Sequence, residues 1–153
     1  MQEKKIISLL VNVFKNFYLQ MQEYVKMSGL DITMSEFTVL REINLIGQCT
    51  ASNISVNTST DKALVARILK RLIKNKLIIK KKNPKDKRSQ ILLLTKSGHR
   101  KLNILLIAEN KLVKKMSEDI DLEDINEWQK VTSEMLYNLT ETKMQSGVVL
   151  SLK

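Results

Sequence analysis

Apolar residues recur at Ile6, Leu9, Leu10, Val13, Phe14, Phe17 and Met21, the three-and-four spacing of an amphipathic helix. Residues 5 to 27 are therefore expected to form one long helix that ends near Ser28-Gly29. In "TMSEFTVLREINLIG", Thr33 is an expected N-cap with Glu36 three residues on, a capping box that satisfies two orphan amides reciprocally. Phe37, Leu40, Ile43 and Ile46 form the apolar stripe of that helix, and Gly47 closes it. Two short segments follow, residues 50 to 58 and 59 to 76, separated by the polar turn residues Asn57, Thr58 and Ser59. Ala51, Ile54 and Val56 are expected to pack inward from the first, and Val65, Ile68, Leu69 and Leu72 repeat at helical spacing in the second. Helices so close in sequence cross steeply, as in a helix-turn-helix. "LIIKKK" and "QILLL" then read as strands around the turn chemistry of "NPKDKRS". A hairpin placed just after a helix-turn-helix is a wing. Leu102, Leu105, Leu106, Leu112, Val113 and Met116 mark another long helix. A last helix starts at an N-cap Asp121, carries Glu123 and Asp124 in its first turn, and has a stripe of Ile125, Trp128, Val131, Met135 and Leu139. The tail "QSGVVLSLK" has no firm assignment. The fold class expected is mainly α with a small β-hairpin wing: a winged helix-turn-helix domain plus a helical region built from the N- and C-terminal helices.

Composition agrees with helices, because the 153 residues include only four glycines and one proline. One cooperative unit is the default at this length. The longest apolar runs, such as "ILLIA" at 104 to 108, fall far short of the roughly 20 residues of a bilayer span, and no signal pattern opens the chain. No membrane association and a cytoplasmic location are expected.

Charge changes the picture more. The net +10 is uneven: residues 62 to 101 hold fifteen Lys or Arg against one acid, Asp86, a local balance of +14, whereas the other 113 residues balance at −4. Forty residues almost emptied of acids point to a polyanion partner. All seven aromatics lie outside that segment, and single-strand binders need rings beside their cations to stack bases, so duplex is the expected partner.

The face of the second short helix left over by its apolar stripe carries Lys62, Ala63, Ala66, Arg67 and Lys70, small residues beside long cations. Lys80, Lys81, Lys82, Lys85, Lys87 and Arg88 on the wing are expected to face phosphates, each contact releasing condensed counterions. Asp86 is expected to accept a hydrogen bond from the Arg88 guanidinium and to aim it into a narrow minor groove. The acids between Glu118 and Glu127 are expected to lie away from DNA. Other chemistry is scarce. Cys49 has no disulfide partner and His99 is the only imidazole, so no metal site, cofactor or nucleophile-base set is expected, and the chain is not read as an enzyme. His99 reads as a solvated residue early in a helix.

From about Met34 to Arg100 the sequence resembles the MarR family of bacterial and archaeal winged-helix transcription regulators. "DKALVARILKRL", then "LI", then "NPKDKRSQILLLTKSGH" is similar to that family's recognition helix and its wing of Asp-x-Arg followed by Leu-Thr-x-x-Gly, with Asp86, Arg88, Leu94, Thr95 and Gly98 at matching places. The resemblance implies a homodimer whose N- and C-terminal helices interlock. Its two lobes would reach successive major grooves of a pseudo-palindromic operator roughly 34 Å apart. It also implies a repressor released by a small-molecule effector. Carried over by position, residues 60 to 70 are the recognition helix, which adds Thr60 to the candidate DNA-binding set. Arg67 is the helix arginine, and Asp86 and Arg88 are the wing pair. The implied organisation is a dimerisation region from 1-30 and 102-145, a DNA-binding lobe over 31-101 and a tail over 146-153.

This chain departs from the family pattern at three places. Ala63, Leu64 and Ala66 stand where many members carry Ser or Thr, so base readout is expected to use thymine methyls. Lys76 replaces the usual glycine, and either Lys76 or Asn75 must take the left-handed conformation, at about 1 kcal/mol for a lysine. Cys49 precedes the helix-turn-helix, whereas peroxide-sensing members carry their cysteine in the first long helix. A pocket near Phe14, Phe17 or Met21 is the effector site the family layout implies, with plain core as the alternative for those residues. The competing function is a winged-helix protein-interaction module or antirepressor without specific DNA binding, an option that Ala63 and Ala66 keep open.

Overall fold

The computed structural model describes residues 2 to 145, so the tail at 146-153 lies outside the described residues. Six helices and one hairpin follow in the order α1 (Gln2–Met27), α2 (Met34–Leu45), α3 (Ala51–Asn57), α4 (Lys62–Lys74), β1 (Ile78–Lys82), β2 (Gln90–Leu94), α5 (Lys96–Met116) and α6 (Leu122–Gln145). The chain divides into two compact units, one through Leu112 and one from Val113 onward.

In the first unit the apolar stripes converge on one core. Met21 and Val25 of α1, Phe37, Leu40 and Ile43 of α2, Ile54 of α3, and Val65, Ile68, Leu69 and Leu72 of α4 meet Leu77, Ile78 and Leu92 of the hairpin and Leu102 and Leu105 of α5. Each such buried side chain contributes about 1.5 to 3 kcal/mol of hydrophobic free energy. The expected capping box is present: Glu36 N–H donates to Thr33 Oγ1 at 3.2 Å, and Glu36 Oε2 accepts from Thr33 N–H at 2.8 Å. α1 stops where expected, since Gly29 takes φ +65, a conformation that glycine enters without a Cβ penalty. α2 ends one residue before the expected stop, with Ile46 as an extended C-cap.

Between α3 and α4 the chain turns through Ser59 at φ 49, and Ser55 Oγ donates to Thr60 C=O at 2.7 Å. Asp61 then caps α4, its Oδ1 accepting from Ala63 N–H at 2.8 Å and Leu64 N–H at 3.0 Å. The helix expected to serve in recognition thus spans Lys62–Lys74 rather than 60 to 70. Thr60 sits in the turn. Of the three α3 residues expected inside, Ile54 alone is buried. Ala51 and Val56 are exposed, because two turns of helix present a single narrow stripe to the core.

β1 and β2 pair antiparallel from Ile78 opposite Leu94 to Lys82 opposite Gln90. Leu92 N–H also donates to Cys49 C=O at 2.8 Å, so the segment before α3 is tied to the wing's base. The Leu-Thr-x-x-Gly run joins three elements. Thr95 Oγ1 donates to Lys76 C=O at 2.7 Å and accepts from Gly98 N–H at 3.0 Å, clasping the end of α4, the hairpin and the start of α5 together. Gly98 is required by space: a Cβ there would collide with the Leu77 carbonyl oxygen. His99, one residue on, is exposed, as a solvated position early in a helix should be.

Several α1 residues assigned to the stripe, Ile6, Leu9, Val13 and Phe14, are exposed in a single copy, Leu10 and Phe17 are half-buried, and Met21 is core. In the second unit α6 begins after Asp121, at the expected N-cap position, following a turn that puts Asp119 at φ 59. Its stripe is largely uncovered: Ile125 is half-buried, and Trp128, Val131, Met135 and Leu139 are exposed. No helix among the described residues is long and apolar enough to cross a membrane.

Candidate nucleic-acid interface

Burial of Val65, Ile68, Leu69 and Leu72 decides which side of α4 faces outward. At about 100° per residue, Ala63, Arg67 and Lys70 project from the opposite side, as expected, and Lys74 joins them. All four are exposed. Lys74 was missed in the sequence, although its place four residues after Lys70 signals it.

Lys62 and Ala66 lie on the flank nearer the wing. With Ala51, Ser52, Val65, Leu69, Lys70, Ile73 and Lys80 they line an open cleft of about 580 Å³. Strand alternation puts Lys80 and Lys82 on one face of β1 and Lys81 on the other, so the three strand lysines cannot act together. Thr60 is half-buried, and its hydroxyl accepts from Thr58 Oγ1 at 2.8 Å and donates to Thr58 C=O at 3.2 Å. That hydroxyl serves the turn.

At the wing tip Lys85, Asp86, Lys87 and Arg88 are all exposed. The contact expected between Asp86 and the Arg88 guanidinium is replaced by another. Asp86 Oδ1 accepts the backbone N–H of Arg88 at 2.9 Å, and Asp86 C=O accepts Ser89 N–H at 3.1 Å. A carboxylate two residues upstream closes a backbone turn more readily than it reaches the end of a long side chain. Asn83 completes the tip: its Nδ2 donates to Ser89 Oγ at 2.7 Å and its Oδ1 accepts Lys85 N–H at 3.0 Å. The side chain of Arg88 is left to point outward from an ordered turn.

Arg71 behaves differently from the other cations of α4. Its Nη2 donates to Asp31 Oδ1 at 2.7 Å, and its Nε lies 3.0 Å from Oε1 of the buried Glu36. That oxygen has no aligned hydrogen bond, so its compensation is the guanidinium charge. Arg41 bridges to Glu109 at 2.7 Å and covers the Phe37 ring, tying α2 to α5. Cys49 is fully buried, and burial, aided by the negative charge of Glu42, pushes its thiol up from 9.0 to about 11. A redox sensor needs an accessible thiolate, which this site disfavours. Among the described residues no group of three or more His, Cys, Asp or Glu is placed to hold a metal ion. Of the residues near which an effector pocket was expected, Met21 is core and Phe14 is exposed.

The MarR family model matches residues 32–90. No curated protein sequence matches the chain. Among solved structures, a MarR transcriptional regulator from Methanosarcina mazei Go1 superposes with a TM-score of 0.77 at 16% identity, over 91% of this chain and 99% of the other. A MarR family protein from Bacillus stearothermophilus gives 0.78 at 15% identity, over 91% and 96%. A point mutant of E. coli MarR complexed with operator DNA gives 0.73 at 22% identity, over 86% and 94%. The sequence match and the shared architecture together make the segment from α2 to the wing of this chain a MarR family winged helix-turn-helix, carried on the fold of that family's regulators.

Proposed function

We propose that the protein is a homodimeric regulator of transcription that binds a pseudo-palindromic operator in double-stranded DNA and represses until a small molecule releases it. The observation that carries the reading is the pairing of two cationic surfaces on one scaffold. The outward face of α4 holds Ala63, Arg67, Lys70 and Lys74, and an ordered wing tip presents Lys85, Lys87 and Arg88. A helix of α4's width fits the major groove, and small residues between cations let it approach base edges closely. Ala63 and Ala66 suit thymine methyls, Arg67 suits guanine, and the lysines suit phosphates. The similar E. coli protein is crystallised with operator DNA, which supports the same partner here.

A partner copy would cover the apolar residues of α1 and, separately, those of α6. Two lobes related by a two-fold axis then meet half-sites roughly one helical turn apart. A surface of exposed cations and small side chains supports a binding role rather than an enzymatic one, and the chain is expected to act in the cytoplasm.

Selection of duplexes from a randomised library by the purified protein, followed by affinity measurement at several salt concentrations, tests the reading. A regulator enriches a few palindromic sequences, and six or more phosphate contacts reduce affinity by roughly 10³ to 10⁵ between 50 and 200 mM salt. Enrichment of no sequence would favour the competing function, a winged module that docks an acidic protein.

A further inference from the structure

We propose that Arg71 is a positioning residue for DNA recognition: held between the buried Glu36 and the loop residue Asp31, it stays off the nucleic acid and fixes the rotational setting of α4 in the groove. This assignment rests on the regulator reading above.

Arg71 breaks the pattern of its helix. Arg67, Lys70 and Lys74 point outward with exposed side chains, whereas the Arg71 guanidinium folds back over the start of α2, 2.7 Å from Asp31 and 3.0 Å from Glu36. Glu36 is 2% exposed, and its other oxygen is already committed to the Thr33 N–H at 2.8 Å. The carboxylate is therefore fixed by backbone on one side and offers the guanidinium a stationary partner on the other. Between the polar contacts at its two ends, the Ser55 bond to Thr60 and the Thr95 clasp, the rest of α4's attachment is apolar, through Val65, Ile68, Leu69 and Leu72. Apolar contact is non-directional, so the stripe sets the angle of the helix less sharply than a hydrogen-bonded ion pair does. A rotation of about 20° moves a side-chain atom roughly 6 Å from the helix axis by about 2 Å, more than a base-edge hydrogen bond tolerates. A planar guanidinium gripping two carboxylates has the directionality that the apolar stripe lacks. The Arg71 side chain is 45% exposed, but its guanidinium is paired with both carboxylates, so turning it to a phosphate would cost both contacts.

Affinities for a duplex enriched by the wild-type protein and for an unenriched duplex of equal length, measured across salt concentrations, test this in Arg71→Lys and Glu36→Gln. The lysine keeps the charge and loses the fork. The glutamine keeps an acceptor for the Thr33 cap, loosens the grip on Arg71 and adds one unit of net positive charge. Both variants should lose preference for the enriched duplex by on the order of tenfold, the worth of a base-edge contact, with wild-type salt slopes and wild-type circular dichroism. A phosphate-contacting Arg71 gives the opposite pattern: the lysine variant keeps its preference and the glutamine variant binds both duplexes more tightly. That pattern overturns the assignment, as does loss of helical signal in both variants, which would make the clamp a requirement of folding. Wild-type protein that enriches no duplex overturns the regulator reading and this assignment with it. Normal enrichment by both variants overturns the assignment alone.

Discussion

Lys76 holds φ 55 between α4 and β1, where the resembled family carries glycine, and Asn75 remains at φ −81. Of the two residues that were expected to share this turn, the lysine bears the left-handed strain. Lys76→Gly is therefore expected to raise stability by about 1 kcal/mol, read as a shift in the denaturation midpoint, with no new contact involved. An unchanged or lower midpoint would mean that the lysine's aliphatic stem is worth as much as the strain. Cys49 makes a second case. Its thiol is buried and held protonated up to about 11 against an ordinary 9.0. At pH 8 iodoacetamide should leave the folded protein unmodified and alkylate it only after unfolding in guanidinium. The sign of the pH effect follows from the raised value. Between 9.0 and about 11 the unfolded thiol ionises while the folded one keeps its proton, so stability falls as pH rises through that window. Cys49→Ala should flatten that part of the decline.

The wing shows what an element needs beyond its strands. Register and alternation position the lysines of β1, but the tip depends on Asp86 and Asn83 closing the backbone. Asp86→Ala and Arg88→Ala should both weaken operator binding, and for different reasons. The arginine variant loses a direct contact, about 1 to 3 kcal/mol, at unchanged wing geometry. The aspartate variant gains a unit of positive charge, so pure electrostatics predicts tighter binding; a turn-closing Asp86 predicts weaker binding with faster amide exchange at residues 85 to 89. The exchange measurement separates the two accounts. Much of this element was legible in the sequence: the two strands and the turn chemistry of the tip follow from local pattern, whereas Asp86, Arg88 and Thr95 stood out by resemblance before their contacts were known. What was not legible involves choices between partners. A carboxylate near an arginine has both a guanidinium and a backbone N–H within reach, and the shorter path won. Likewise Arg71 reads as one more cation in a basic run until α2 is folded beside it. Helical spacing also overstated burial at Ala51, Val56 and much of α1, because periodicity marks an apolar face without saying whether the chain itself covers it.

Phe14 is 70% exposed and stacks on Tyr18 at 6.4 Å, beside exposed Ile6, Leu9 and Val13. Exposed apolar side chains gathered on one stretch of a helix mark an interaction surface. In the proposed dimer they are covered by a second copy, and the separation of the two DNA-binding lobes is set by that contact. Phe14→Glu should leave the monomer folded, since the side chain touches little of its own core. It should cost the dimer about 3 kcal/mol or more, one lost aromatic burial per protomer, or at least two orders of magnitude in dissociation constant. Sedimentation at micromolar concentration would then show a monomer with an unaltered circular dichroism spectrum. Operator affinity should fall with it, because a lone lobe engages one half-site with about half the phosphate contacts, and the salt slope should drop toward half its wild-type value. A variant that stays dimeric would remove α1 from the interface. A monomer that keeps the full salt slope would instead remove the symmetric, two-groove arrangement from the proposal.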